Sequence, residues 1–179
     1  MAIQRALLFL AGILIFFPIG AHAEDLTLCK EGWRETQVGN HLVAVELFKD
    51  CIKTGELGQA MLARTHRNIG IAYRRAKMPD AAIAAFTEAI ELKPADVWDD
   101  YVNRGNAYDD RGDFERAMDE YDRALELKPG YGEAYYNRGI AYEGQDQLEK
   151  ARVEFVRAYE SGLRTEFLYE RMVVYGLFE

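Results

Sequence analysis

The sequence is short of the residues from which most catalytic and metal sites are built. It has two cysteines and three histidines among 179 residues. No Cys-x-x-Cys occurs, which argues against a redox dithiol. His22, His41 and His66 do not fall at ligand spacing with one another or with carboxylates on one helix face, so no metal is expected. A glycine-rich phosphate loop, a Gly-x-Ser-x-Gly elbow and a zinc-protease motif are also missing. The chain therefore reads as no enzyme and as needing no cofactor. Positive charge is short as well: 22 Lys and Arg stand against 30 Asp and Glu, a net charge of −8. Phosphate contacts need clustered Lys and Arg, so nucleic acid is excluded as a general partner, and so is docking on anionic lipid.

Long apolar runs are missing except at the start. Met1–Arg5 carries one positive charge, and Ala6 to Ile19 is nearly unbroken apolar sequence. Ala21-His22-Ala23 then makes a small-x-small site before Glu24-Asp25. This is the order of a secretory signal peptide, residues 1–23, cleaved after Ala23. The competing reading is a retained anchor, for which the apolar run is short against the ~20 residues of a membrane span. Cleavage would remove Arg5 and no acid, leaving 21 basic and 30 acidic residues and a net charge of −9. The expected mature protein is exported, periplasmic or secreted, with no stable membrane insertion.

What is present is a repeat. Asn68-Ile69-Gly70-Ile71-Ala72-Tyr73 returns as Asn103-Arg104-Gly105-Asn106-Ala107-Tyr108 and as Asn137-Arg138-Gly139-Ile140-Ala141-Tyr142. The glycines are 35 and then 34 residues apart. Matching second sets follow: Ala82, Phe86 and Ala89; Ala117, Tyr121 and Ala124; Ala151, Phe155 and Ala158. Leu92-Lys93-Pro94 and Leu127-Lys128-Pro129 close the first two units. Glycine inside a helix costs ~1 kcal/mol against Ala, so its recurrence calls for close packing. Ala82, Ala117 and Ala151 are the expected partners on the facing helix. Turns are expected at Lys77–Asp80, Arg111-Gly112-Asp113 and Gly144–Asp146. The Arg-Gly-Asp tripeptide fills one of them, so an adhesion role is discounted.

These residues resemble the tetratricopeptide repeat, a helix–turn–helix of about 34 residues. The resemblance covers residues 63–165. It departs at the usual tryptophan, held by His66, Tyr101 and Tyr135, and at the leucine before glycine, held by Ile69, Arg104 and Arg138. It implies an all-α helical-hairpin solenoid with three full repeats over 59–164. Gly32, Ala44 and Phe48 keep the spacing in a diverged hairpin over 24–58, a cap of the kind terminal units require. Residues 165–179 read as a C-terminal capping helix, with Phe167, Leu168, Met172 and Tyr175 covering the end of the stack. The alternative is that Leu177-Phe178 stays uncovered and pairs with another molecule.

Cys29 and Cys51 fall on the two helices of the cap. A structural disulfide is the leading reading for an exported protein, and a pair of buried thiols is the alternative. The acidic clusters Asp99-Asp100, Asp109-Asp110, Asp119-Glu120 and Glu166 with Glu170 lie outside the repeat's core positions. They read as solvated helix faces rather than a glycosidase pair.

In the resembling family the first helices of successive units line a groove that holds an extended peptide or a helix. By position that lining comprises Arg67, Asn68, Ile71, Arg74 and Arg75, then Val102, Asn103, Asn106, Asp109 and Asp110, then Tyr136, Asn137, Ile140 and Glu143. The recurring Asn68, Asn103 and Asn137 have two readings, ligand backbone contacts or ties between repeats. The family's clamp for acidic C-terminal tails is incomplete here, because Ile71, Glu133 and Asn137 occupy three of its positions. The implied function is an exported protein–protein adaptor or scaffold with a protein or peptide partner. The alternative is a structural envelope protein that self-associates through its terminal helix as a homo-oligomer. Export is checked by sequencing the N-terminus of protein recovered outside the cytoplasm: Glu24 is the expected first residue, and an intact Met1 overturns the cleavage site.

Overall fold

The computed structural model describes residues 9–10, 13–14, 21–55 and 57–177. Most of the proposed signal segment lies outside the described residues, as does Phe178. Within that segment β1 (Phe9–Leu10) and β2 (Ile13–Leu14) pair antiparallel. The helices are α1 (Ala21–Gln37), α2 (His41–Lys53), α3 (Gln59–Arg75), α4 (Pro79–Glu91), α5 (Val97–Asp110), α6 (Phe114–Leu127), α7 (Gly132–Gly144), α8 (Leu148–Glu160) and α9 (Glu166–Val174). Among the described residues, no helix is long and apolar enough to cross a membrane.

The helices pair as α1·α2, α3·α4, α5·α6 and α7·α8, and α9 packs on α8. This is the expected all-α solenoid of hairpins. Each hairpin turns on one backbone device. Gly39, Lys77, Gly112 and Asp146 stand at the same repeat position, all with positive φ of 89°, 61°, 82° and 56°. The following N–H then reaches back to close the helix: Asn40 to Glu35 O, Met78 to Tyr73 O, Asp113 to Tyr108 O and Gln147 to Tyr142 O, each at 2.9–3.0 Å. This is a left-handed C-cap, favoured by Gly and costlier for Lys77. The first turn is shorter than Lys77–Asp80, because Pro79 already opens α4, where its missing N–H is harmless. The third falls at 145–147, since Gly144 still belongs to α7.

The glycines answer to aromatic rings rather than to alanines, which corrects the expected partner. A Cβ on Gly32, Gly70, Gly105 or Gly139 would sit 2.9, 2.6, 2.8 and 2.7 Å from Phe48, Phe86, Tyr121 and Phe155. The ring of the second helix lies on the bare backbone of the first. Ala82, Ala117 and Ala151 are fully buried beside these contacts. The diverged hairpin obeys the same rule, so residues 24–53 are a true repeat in packing. Its helices are joined by a disulfide between Cys29 and Cys51, with Cα atoms 5.5 Å apart. α1 starts at Ala21, so helix continues across the expected cleavage point at Ala23. At the other end Thr165 caps α9 by accepting from Leu168 N at 3.2 Å. Leu168 and Met172 bury themselves against Ala158 and Phe155 of the third unit. Tyr175 joins them with its ring 5.5 Å from Phe155, and Leu177 packs on the same cluster. Phe167, expected in this cap, is instead exposed.

This packing sets three expected outcomes. Gly70→Ala is expected to destabilise by about 1–3 kcal/mol through overpacking against Phe86, despite the gain in helix propensity. Gly144→Ala meets nothing within 4 Å and is expected to be neutral or stabilising in the same denaturant melts. Cys29→Ser with Cys51→Ser is expected to lose roughly 3 kcal/mol, the chain-entropy worth of closing a 22-residue separation.

Candidate partner groove

α1 touches α3, α3 touches α5 and α5 touches α7, whereas the second helices of the units make no comparable contacts with one another among the described residues. The first helices are therefore on the inside of the curve, and their outward faces make the groove floor.

Between α3 and α5 the groove holds a recess of about 350 Å³ lined by Ile71, Arg74, Arg75, Lys77, Asn103 and Asp110. Five of these were expected from repeat position. Lys77 was not, because it read as a turn residue; its left-handed backbone belongs to the cap that ends α3 at the rim of the recess. Arg74 Nε donates to Asp110 Oδ2 at 2.6 Å across the two units, so this cation is engaged. Arg75 and Lys77 are exposed and form no ion pair among the described residues. Asp109 is half-buried, and burial with Asp110 beside it raises its carboxyl pKa.

Other expected lining residues are committed elsewhere. Arg67 is only 13% exposed, and its guanidinium holds Asp100 (2.6 Å) and Asp96 (2.7 Å) of the next unit. It links repeats and is not a free groove cation. Asp100 is fully buried, which corrects the reading of Asp99-Asp100 as a solvated face. Burial raises its carboxyl pKa against the opposing pull of Arg67, while Asp96 is lowered by its bond to Arg67. Asp99 is likewise engaged, accepting from the Tyr131 hydroxyl. Asn106 is buried, and its Oδ1 accepts from the Tyr121 hydroxyl at 2.7 Å. That pairing has a reason. Ile71 and Ile140 occupy the matching position where the ring is Phe86 or Phe155, but Tyr121 brings a hydroxyl into the core that needs an acceptor. Val102 is core as well.

Asn103 and Asn137 donate to carbonyls of their own helices, Asp99 O (2.8 Å) and Glu133 O (2.7 Å), so these bonds do not tie neighbouring repeats. Tyr136 is half-buried with its ring 5.8 Å from Phe155, and Ile140 packs on the same cluster. Glu143 accepts from the Tyr175 hydroxyl at 3.1 Å.

The departures at the leucine position also resolve. Arg104 binds Glu120 (2.9 and 3.0 Å) and Thr87 of the preceding unit (3.0 Å). Arg138 binds Glu154 (2.7 and 3.0 Å) and Asp122 of the preceding unit. In the first unit the same positions are Ile69 and Ala85, packed in one apolar cluster. Leucine is thus replaced by a paired Arg and Glu, and Glu120 belongs to this link rather than to an open helix face. The signal was present as a coupled change 16 residues apart. His66 is half-buried, and burial lowers its pKa. No group of His, Cys, Asp and Glu suited to a metal occurs among the described residues.

Tetratricopeptide-repeat family models match residues 63–96 and 132–161, and a TPR-repeat model matches 105–146. The chain belongs to the tetratricopeptide-repeat family. No curated protein matches it by sequence. Among solved structures it is similar to MamA, at 29% identity and a TM-score of 0.63 over 76% of this chain and 77% of that one. It is similar in fold to YrrB, described as a TPR protein with an unusual peptide-binding site, at 17% identity, TM-score 0.64, over 82% and 73% of the chains. It is also similar in fold to the Sgt2 TPR domain of Aspergillus fumigatus, at 21% identity, TM-score 0.56, over 63% and 75%.

Arg67→Leu is expected to destabilise by about 3–5 kcal/mol, because Asp100 would be left buried and unpaired. Arg67→Leu with Asp100→Leu is expected to recover most of that loss in urea melts. A single variant as stable as the parent overturns the assignment of Arg67 as the inter-repeat link.

Proposed function

We propose that this protein is an exported adaptor that holds an extended segment of a protein partner in the groove of its repeats. The observation that carries the reading is the recess between α3 and α5. There Arg75 and Lys77 stand exposed and without ion pairs beside the apolar Ile71 and the polar Asn103. Charges placed this way orient a partner and speed its capture. Membership of a repeat family that includes a solved peptide-binding relative supports a protein partner over a small molecule. Export rests on the N-terminal sequence pattern alone.

Arg75→Glu with Lys77→Glu tests the site. A photo-cross-linker placed at Asn103 in cells identifies the captured partner. The double charge reversal is expected to weaken that partner's binding at least about tenfold, with the thermal melt unchanged. Unchanged binding overturns the groove. Arg74 is left alone in this test because it also bridges to Asp110.

A second reading, self-association through α9, is favoured by one observation. Phe167, Val173 and Val174 are exposed at 68%, 57% and 72% on the terminal helix. Light scattering separates the two: a mass independent of concentration at one chain excludes self-assembly.

A further inference from the structure

The diverged N-terminal hairpin builds a second recess in the groove, and its chemistry differs from that of the first. It lies between α1 and α3 and measures about 430 Å³. Its walls include Leu26, Trp33, Phe48 and Met61, so they are chiefly apolar. Trp33 occupies the position filled by Ile71, Asn106 and Ile140 in the later units, directly after the glycine. It is 58% exposed, and a large aromatic presented this way offers much contact area with little rotamer entropy to lose. Cys29 lines the same recess, so the disulfide fixes the α1 wall to α2.

The charges around the recess are of one kind. Lys30 and Arg64 stand on its rim, exposed. Most described Lys and Arg side chains are in ion pairs or lie over aromatic rings. Among the described residues Lys30, Arg64, Arg75 and Lys77 neither form an ion pair nor lie over an aromatic ring, and all four line the two recesses. Lys93, in the loop after α4, is the other described cation with neither, while Lys128, Lys150 and Arg164 lie over rings without an ion pair. In a chain of net charge −8 this gathers unneutralised positive charge along one stretch of the groove. Arg64 and Arg75 lie on the same helix, eleven positions apart. At ~1.5 Å per residue that is about 16 Å, the reach of roughly five extended residues.

We propose that the recess between α1 and α3 takes an aromatic or large aliphatic side chain of the partner, and that carboxylates about five residues along the same segment meet Arg75 and Lys77. This rests on the groove reading above and names the chemistry of its occupant. The occupant is an internal acidic and apolar segment, recognised without a free chain terminus.

The test uses the full chain carrying Trp98→Phe, so that Trp33 alone reports. Four probes are twelve-residue peptides blocked at both ends in a Gly-Ser background. Two carry one Phe and an Asp-Glu pair five residues away, in either order. The third has Ser for Phe and the fourth Lys-Lys for Asp-Glu. At least one Phe–acid peptide is expected to shift the Trp33 emission and to bind at least about tenfold tighter than either control. Trp33→Ala, followed by peptide anisotropy, is expected to erase the preference for Phe while keeping that for acid. Arg75→Glu with Lys77→Glu is expected to do the reverse. Circular dichroism melts confirm that each variant folds. Equal binding of the Ser peptide, or a Phe preference that survives Trp33→Ala, overturns the anchor recess. If neither Phe–acid peptide binds while the partner cross-linked at Asn103 is still captured through Arg75 and Lys77, this inference fails and the groove stands. If that capture is also absent, both fail.

Discussion

The architecture depends on one contact, made four times: an aromatic ring of a second helix lying on a glycine of the first. Phe48 on Gly32, Phe86 on Gly70, Tyr121 on Gly105 and Phe155 on Gly139 leave no room for a Cβ. The contact fixes how near the paired helices come and how they rotate about each other. Stacking hairpins of that fixed shape places α1, α3, α5 and α7 side by side on the inside of a curve. The groove is the consequence of that placement.

A second layer of polar links joins the hairpins and decides which groove charges are available. Arg67 to Asp96 and Asp100, Arg104 to Glu120 and Thr87, and Arg138 to Glu154 and Asp122 are each drawn partly or wholly into the interior. Buried pairs of this kind add little net stability, yet they penalise any register in which one member is left alone. The central Tyr121–Asn106 bond acts likewise. With these side chains committed, the unneutralised cations of the groove collect between α1 and the rim of α3. That is why an acidic protein offers a positively charged stretch at one end of its concave face.

Much of this was legible in order. Gly70, Gly105 and Gly139 with their following Ala and aromatic residues gave the hairpins. Gly32, Ala44 and Phe48 gave the diverged one, and the two cysteines fell where helices α1 and α2 meet. The site was legible in part. Ile71, Arg74, Arg75, Asn103 and Asp110 do converge, but Arg67 and Asn106 turn to bonds within the fold. Repeat position assigns a side chain to a face, whereas its partner depends on which charge or hydroxyl the neighbouring unit presents. Lys77 and the Trp33 recess are not legible from spacing for a related reason. Lys77 stands at a turn position, and Trp33 belongs to the diverged terminal unit.

The sequence by itself determined the repeat, the helical hairpins and the glycine positions, because a 34-residue period and a small–aromatic pattern are local and periodic. Only the tertiary structure decided which side of each glycine the ring covers, which arginines are spent between repeats and which stay in the groove. Those outcomes turn on contacts 16 to 36 residues apart, where burial makes an unpaired charge or hydroxyl too costly to leave. Spacing along one helix carries no information about that.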